Sequence, residues 1–247
     1  MYDLKIQDSI AVVTIRHGRG NTLDIELCDA LAKCFGELRT ADVRAVVITG
    51  QGRIFCAGVD LKRVTAGGAD YVRQFIPALH RVSEAVFFHP KPVVAAINGY
   101  TIAGGCVLAC CADRRIMARA RGRIGVIELV VGVPFPALAL EVIRYAVPSR
   151  HFHEVTLSGA TYDSAAALER GLVDEVVEAD ALMDHALGVA RKLALLPPLA
   201  FTHTKNQMRL PVSERMERSG AAIDKRVAEI WSEPETLAGV RDFVARN

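Results

Sequence analysis

The sequence predicts an α/β protein on three observations: strand-length apolar runs in the first half, amphipathic stretches between them, and a helical C-terminal third. The runs at 10–15, 45–49 and 92–97 are the strands. Ala45-Val46-Val47-Ile48 is apolar at consecutive positions, which fits a strand covered on both faces and paired in parallel. The stretch 23–38 spaces Leu23, Leu27, Leu31 and Phe35 four residues apart, giving a helix with one face for the sheet. A second helix is expected over 69–88, preceded by a loop at 64–69 that carries Gly67-Gly68. Beyond Val176 the pattern turns helical at 179–196 and 210–243, with Pro197-Pro198 as the break between them.

A chain of 247 residues buries a sizeable core without disulfide staples. Its formal charge is only +2, and no run of five or more Lys and Arg occurs, so the composition gives no footprint for nucleic acid. The six cysteines form no CxxC pair and have no histidines at zinc-ligand spacing. They are expected to be buried, reduced thiols, with no metal, in a reducing compartment such as the cytoplasm. Residues 1–8 lack the pattern of a secretory leader, and no apolar run reaches the roughly 18 residues of a membrane span, so no membrane association is expected.

Two glycine-bearing loops follow expected strands and lead into helices: Gly50 to Lys62, and Asn98 to Cys106. A strand, a glycine turn and a helix start together present free backbone N–H groups, which suit an anion or a carbonyl oxygen acquiring charge. Glycines that merely satisfy tight turns are the plain alternative. Neither loop has dinucleotide-binding or phosphate-loop spacing.

Phe55-Cys56-Ala57-Gly58-Val59-Asp60-Leu61-Lys62 resembles one signature of the enoyl-CoA hydratase/isomerase (crotonase) family. Ala96-Ile97-Asn98-Gly99-Tyr100, with Ala103-Gly104-Gly105-Cys106 and Ala112-Asp113 after it, resembles the second. Asn21-Thr22-Leu23 and Gly171-Leu172-Val173-Asp174-Glu175-Val176 extend the likeness along most of the chain. The resemblance implies a spiral of ββα units over 1–190 and a C-terminal helical region over 191–247 used in trimer or hexamer assembly. It also implies an acyl-CoA substrate, with no cofactor beyond that coenzyme A. Its thioester oxygen would sit between the N–H groups of Val59 and Gly104. Ala57 would face the adenine, with Arg53, Lys62 and, more weakly, Lys205 near the phosphates. Solvated surface charge is the alternative for these basic residues.

The chain departs from the family where the hydratases carry the first of two glutamates, because Val107 stands there. The second is retained as Glu128, within the apolar stretch 124–133. Burying an unpaired carboxylate is costly, and desolvation would raise its pKa toward that of a general base near pH 7. A strand-edge glutamate turned to solvent is the structural alternative. One carboxylate with an oxyanion pair points to proton shuttling, the shift of a 3-enoyl to a 2-enoyl double bond. Hydration is the alternative reaction, with Asp70 or Tyr71 standing in for the missing acid. Thioester hydrolysis, decarboxylation and a non-catalytic CoA-binding role are further alternatives on the same oxyanion hole. The histidines show no triad spacing, and 133–137, Val-Pro-Phe-Pro-Ala, should form a stiffer wall than the family's glycine-rich continuation.

Overall fold

The computed structural model describes residues 1–246. The chain starts with an antiparallel hairpin, β1 (Tyr2–Gln7) and β2 (Ile10–Ile15). Its two turn residues, Asp8 and Ser9, both have positive φ, the backbone that matches a two-residue turn to the twist of the strands. After α1 (Ile25–Leu38) come three ββα turns of a spiral: β3 (Ala45–Gly50), β4 (Ile54–Cys56) and α2 (Leu61–Phe87); β5 (Val93–Ile97), β6 (Tyr100–Ile102) and α3 (Gly104–Cys110); β7 (Arg114–Ala118), β8 (Ile124–Gly125) and α4 (Glu128–Val131). Then follow α5 (Ala137–Ala146), α6 (Ser149–Leu157), α7 (Ser164–Glu169), β9 (Glu175–Val177), α8 (Leu182–Ala194), α9 (Pro198–Arg215), a π-helical turn (Met216–Gly220), α10 (Ala221–Ser232) and α11 (Pro234–Arg246).

Each spiral turn lays one strand in a large sheet and the next in a small one. Among the described residues the large sheet runs β1-β2-β3-β5-β7-β9, parallel from β2 onward, and the small sheet β4-β6-β8 is parallel throughout. The continuous apolar run of β3 is buried along its whole length. Its side chains alternate: Val46 and Ile48 join the main core with α1 and α2, while Ala45 and Val47 meet Leu182, Ala186 and Ala190 of α8 on the other face. Helix starts are capped by side chains, Asp24 accepting from the Leu27 N–H at 2.8 Å and Asp60 from that of Arg63 at 3.1 Å.

Two expectations need correction. Segment 64–69 is helical: α2 begins at Leu61 and is interrupted only at Gly68, whose φ of 57° and ψ of −147° suit glycine. The helix expected from 210 begins at Pro198, and the chain breaks again at Pro234, where the ring fits the first turn of α11. Position 190 lies inside α8, whose inner face belongs to the sheet core. Beyond it, α10 and α11 lie on α2 and place Val227, Trp231, Leu237 and Val240 in the main core. All six cysteines are buried and free. Among the described residues, no cluster of side chains could hold a metal, and no helix is long and apolar enough to cross a membrane.

Candidate active site

The loops after β4 and β6 approach each other because glycine lets them. A Cβ on Gly58, where φ is +93°, would lie 2.7 Å from the Ile102 carbonyl oxygen. One on Gly105 would lie 2.1 Å from that of Cys56. Ala103, just before α3, has a φ of 51°, a strained value for a residue with a side chain. Leu23 forms a parallel bridge to Val59, its N–H donating to the Gly58 carbonyl at 2.7 Å and its carbonyl accepting from Asp60 at 2.9 Å. That pattern engages the neighbours of Val59 and turns the Val59 N–H the other way. In α3, Cys106 and Val107 donate to the Ala103 carbonyl, while the N–H of Gly104 sits in the first turn, where no intrahelical acceptor exists. A Cβ on Gly104 would lie 3.6 Å from Val59 Cγ2, so the two residues are neighbours.

Both residues line a cavity of about 890 Å³, the open solvent at its mouth included. Its walls are mostly aliphatic: Leu23, Ala57 and Leu61 beside the glycine loops, Leu79 and Val82 from α2, Val133, Pro136 and Leu138 leading into α5, and Trp231 and Phe243 from α10 and α11. The 133–137 segment is a wall, as expected. Its Pro134 carbonyl accepts from Trp231 Nε1 at 2.9 Å, which fixes the indole against the cavity.

Glu128 opens α4 and points into this cavity, so it is not a strand-edge residue turned to solvent. It is 7% exposed, and no group bonds its Oε2. Burial pushes its pKa from the ordinary 4.5 up to about 7, with backbone N–H groups opposing the shift in part. Among the described residues it is the only carboxylate in the lining, and Val107, where a second acid would sit, contributes a buried isopropyl group.

Ala57 lies in the cavity wall, and Arg53 and Lys62 are exposed, with no ion pair among the described residues. Lys205 is elsewhere. It is 5% exposed on α9, outside the cavity lining, with its ammonium bonded to Asp113 at 2.7 Å and to the Lys91 carbonyl at 3.2 Å. Asp70 and Tyr71 also fall outside the lining. Asp70 pairs with Arg73 on the surface, and the Tyr71 hydroxyl accepts from the Ile25 N–H while its ring stacks on Phe75. The polar groups that do line the cavity besides Glu128 are His80 and Ser83, one helical turn apart on α2. His80 Nδ1 lies 3.5 Å from Asp224 Oδ2. Asp224 is far along the chain on α10, so sequence spacing gave no sign of this pair.

A family model described as enoyl-CoA hydratase/isomerase matches residues 5–246. The chain is 32% identical to an (E)-benzylidenesuccinyl-CoA hydratase of Thauera aromatica over 209 residues, 82% of this chain and 79% of that protein. Among solved structures, a probable enoyl-CoA hydratase of Mycobacterium tuberculosis superposes with a TM-score of 0.86 at 29% identity, covering 96% of this chain and 98% of that one. The human mitochondrial Δ3-Δ2-enoyl-CoA isomerase superposes with a TM-score of 0.94, over 99% and 97% of the two chains. At 24% identity that likeness concerns the fold alone.

Proposed function

The chain belongs to the enoyl-CoA hydratase/isomerase family, and on that footing we propose that it shifts a double bond from the 3- to the 2-position of an enoyl-CoA. The observation that carries this reading is a single buried carboxylate whose Oε2 no described group bonds, in a cavity where Val107 stands at the position the resemblance gives to a second acid. In the proposed reaction the Glu128 carboxylate takes a C2 proton. The electron pair delocalises over C2, C3, C4 and the thioester oxygen as a dienolate. The N–H groups of Val59 and Gly104 bond that oxygen as it gains charge, each such donor lowering the barrier by about 3 kcal/mol. Protonated Glu128 then returns the proton to C4, and the double bond lies between C2 and C3. No water enters and no other cofactor is consumed. Arg53 and Lys62 would hold the coenzyme A phosphates and Ala57 its adenine; Lys205 has no part. A homotrimer or hexamer is the proposed assembly, and sedimentation as a monomer would refute it.

Hydration is the second reading, because hydratases stand among the relatives. Purified protein given a 3-enoyl-CoA and, separately, crotonyl-CoA decides between them. Isomerisation at least about tenfold faster than hydration is expected. Fast hydration without isomerisation overturns the proposal.

A further inference from the structure

The lining of the cavity is apolar except in two places, and the reaction above uses only one of them. The other is on α2, where His80 and Ser83 face the cavity one turn apart among Leu79, Val82, Leu138 and Trp231. Ser83 is 8% exposed, and no described protein group bonds His80 Nε2 or Ser83 Oγ. A chain that needed only to hold an alkyl group would have no reason to place two hydrogen-bonding atoms in such a wall, since each loses water when the cavity fills.

The imidazole is also held in place. Asp224 Oδ2 faces its Nδ1 at 3.5 Å, while Asp224 Oδ1 accepts from the Ala137 N–H at 2.7 Å. That carboxylate therefore ties α10 to the start of α5 and turns the ring so that Nε2 is left for the cavity. Asp224 is thus a positioning residue. It raises the pKa of His80, with Glu84 adding to the rise and burial and Arg81 opposing it. When the ring is protonated its charge is answered by Asp224 and the pair is neutral; when it is not, the pair is negative, and Glu84 adds negative potential in both cases. An anionic substituent would meet the carboxylates of Asp224 and Glu84, while the one further cation, Arg81, is already paired with Asp29. A hydroxyl or carbonyl oxygen meets a donor at each atom with no charge to bury.

We propose that His80 Nε2 and Ser83 Oγ form a subsite for a neutral oxygen function, hydroxyl or carbonyl, carried on the acyl chain of the substrate. The subsite makes the enzyme selective for oxygenated over plain alkyl thioesters. This rests on the reading of the cavity as an acyl-CoA site but not on which reaction Glu128 performs.

Saturated thioesters separate the two claims, because they bind without turning over. Calorimetry would compare hexanoyl-CoA with its 4-, 5- and 6-hydroxy and 5-oxo congeners and with adipyl-CoA. At least one neutral congener should bind about tenfold tighter than hexanoyl-CoA, and the ratio should fall toward one in a His80→Phe/Ser83→Ala double variant. Asp224→Asn should lower the ratio partway, as expected of a residue acting through His80. Equal binding of hexanoyl-CoA and every congener overturns the subsite, as does a ratio that survives the double variant. Adipyl-CoA as the tightest ligand overturns the neutral-pair argument. Should His80→Phe not fold, Ser83→Ala alone must still lower the ratio severalfold, and an unchanged ratio counts against the proposal. Loss of isomerisation with the binding ratios intact would sink the reaction and leave the subsite standing.

Discussion

Asp113 and Glu128 sit on opposite sides of a simple rule about buried charge. Asp113 is surrounded: its Oδ2 accepts from Lys205 at 2.7 Å and from the Val93 N–H at 2.8 Å, and its Oδ1 from Arg209 at 2.8 Å. Arg209, 2% exposed, also lies over the Phe87 ring at 4.1 Å. Two cations share this one carboxylate, and burial still pulls the Lys205 ammonium down to about 8. Glu128 has the opposite surroundings, an apolar cavity and an Oε2 with no partner. The first arrangement locks α9 onto the strand ends of the spiral. The second leaves a carboxylate whose proton is held tightly enough to be exchanged near neutral pH. An inward carboxylate thus serves architecture in one place and chemistry in the other, and partnering is what separates them.

Exchanging each carboxylate for its amide tests that contrast most directly. Glu128→Gln keeps the shape and removes the base, so turnover of a 3-enoyl-CoA should fall by about a thousandfold, measured as kcat with the folded fraction checked by circular dichroism. Intact turnover would move the chemistry to another group. Asp113→Asn should instead cost about 3–5 kcal/mol of stability, because it leaves two buried cations without their counter-charge. Denaturant unfolding measures this. A loss under about 1 kcal/mol would mean that water already screens the cluster.

The same contrast explains what could be read from residues alone. Burial of Glu128 was legible because one acid stood in the apolar stretch 124–133, and the strands were legible because β3 is apolar at consecutive positions. The glycine loops were legible as turns from strand into helix, but their close approach was not, because the backbone that a Cβ would strike at Gly58 and Gly105 comes from the other loop. Lys205 was misplaced for a physical reason. Its partner Asp113 follows α3, so only the fold brings them together, and a lone lysine in a helix gives no sign that it is buried. His80 and Asp224 escaped in the same way, as did the closing of the cavity by Trp231 and Phe243 from the last two helices.

The amide at 128 should also leave a mark on stability, smaller than the effect at 113 and opposite in sign. A carboxyl held at about 7 in the folded chain and 4.5 when exposed binds its proton more tightly in the folded state. Its contribution is therefore fully favourable below pH 4.5 and is lost as pH rises through 7. Glu128→Gln is free of that loss. At pH 8 it should be more stable than the parent by about 3 kcal/mol, with the gap closing by pH 4.5. Thermal unfolding at the two pH values reads it, and a variant less stable at pH 8 would show that Glu128 has a stabilising partner after all.

The gentlest probe leaves the sequence untouched. Proton abstraction needs the charged form of Glu128, so kcat/KM for a 3-enoyl-CoA should rise with pH and level off above a midpoint at about 7, the value that burial sets. Between pH 6 and pH 8 the gain should be about tenfold. Desolvation, rather than a neighbouring charge, is the leading cause of the shift, so the midpoint should move little with ionic strength. Asp113 and its two cations lie outside the cavity lining, and they should leave no inflection of their own. A midpoint near 4.5 would mean that water solvates Oε2 in the working enzyme. The difference between the paired carboxylate and the unpaired one would then be one of position only, and the case for Glu128 as a proton carrier tuned by burial would fail.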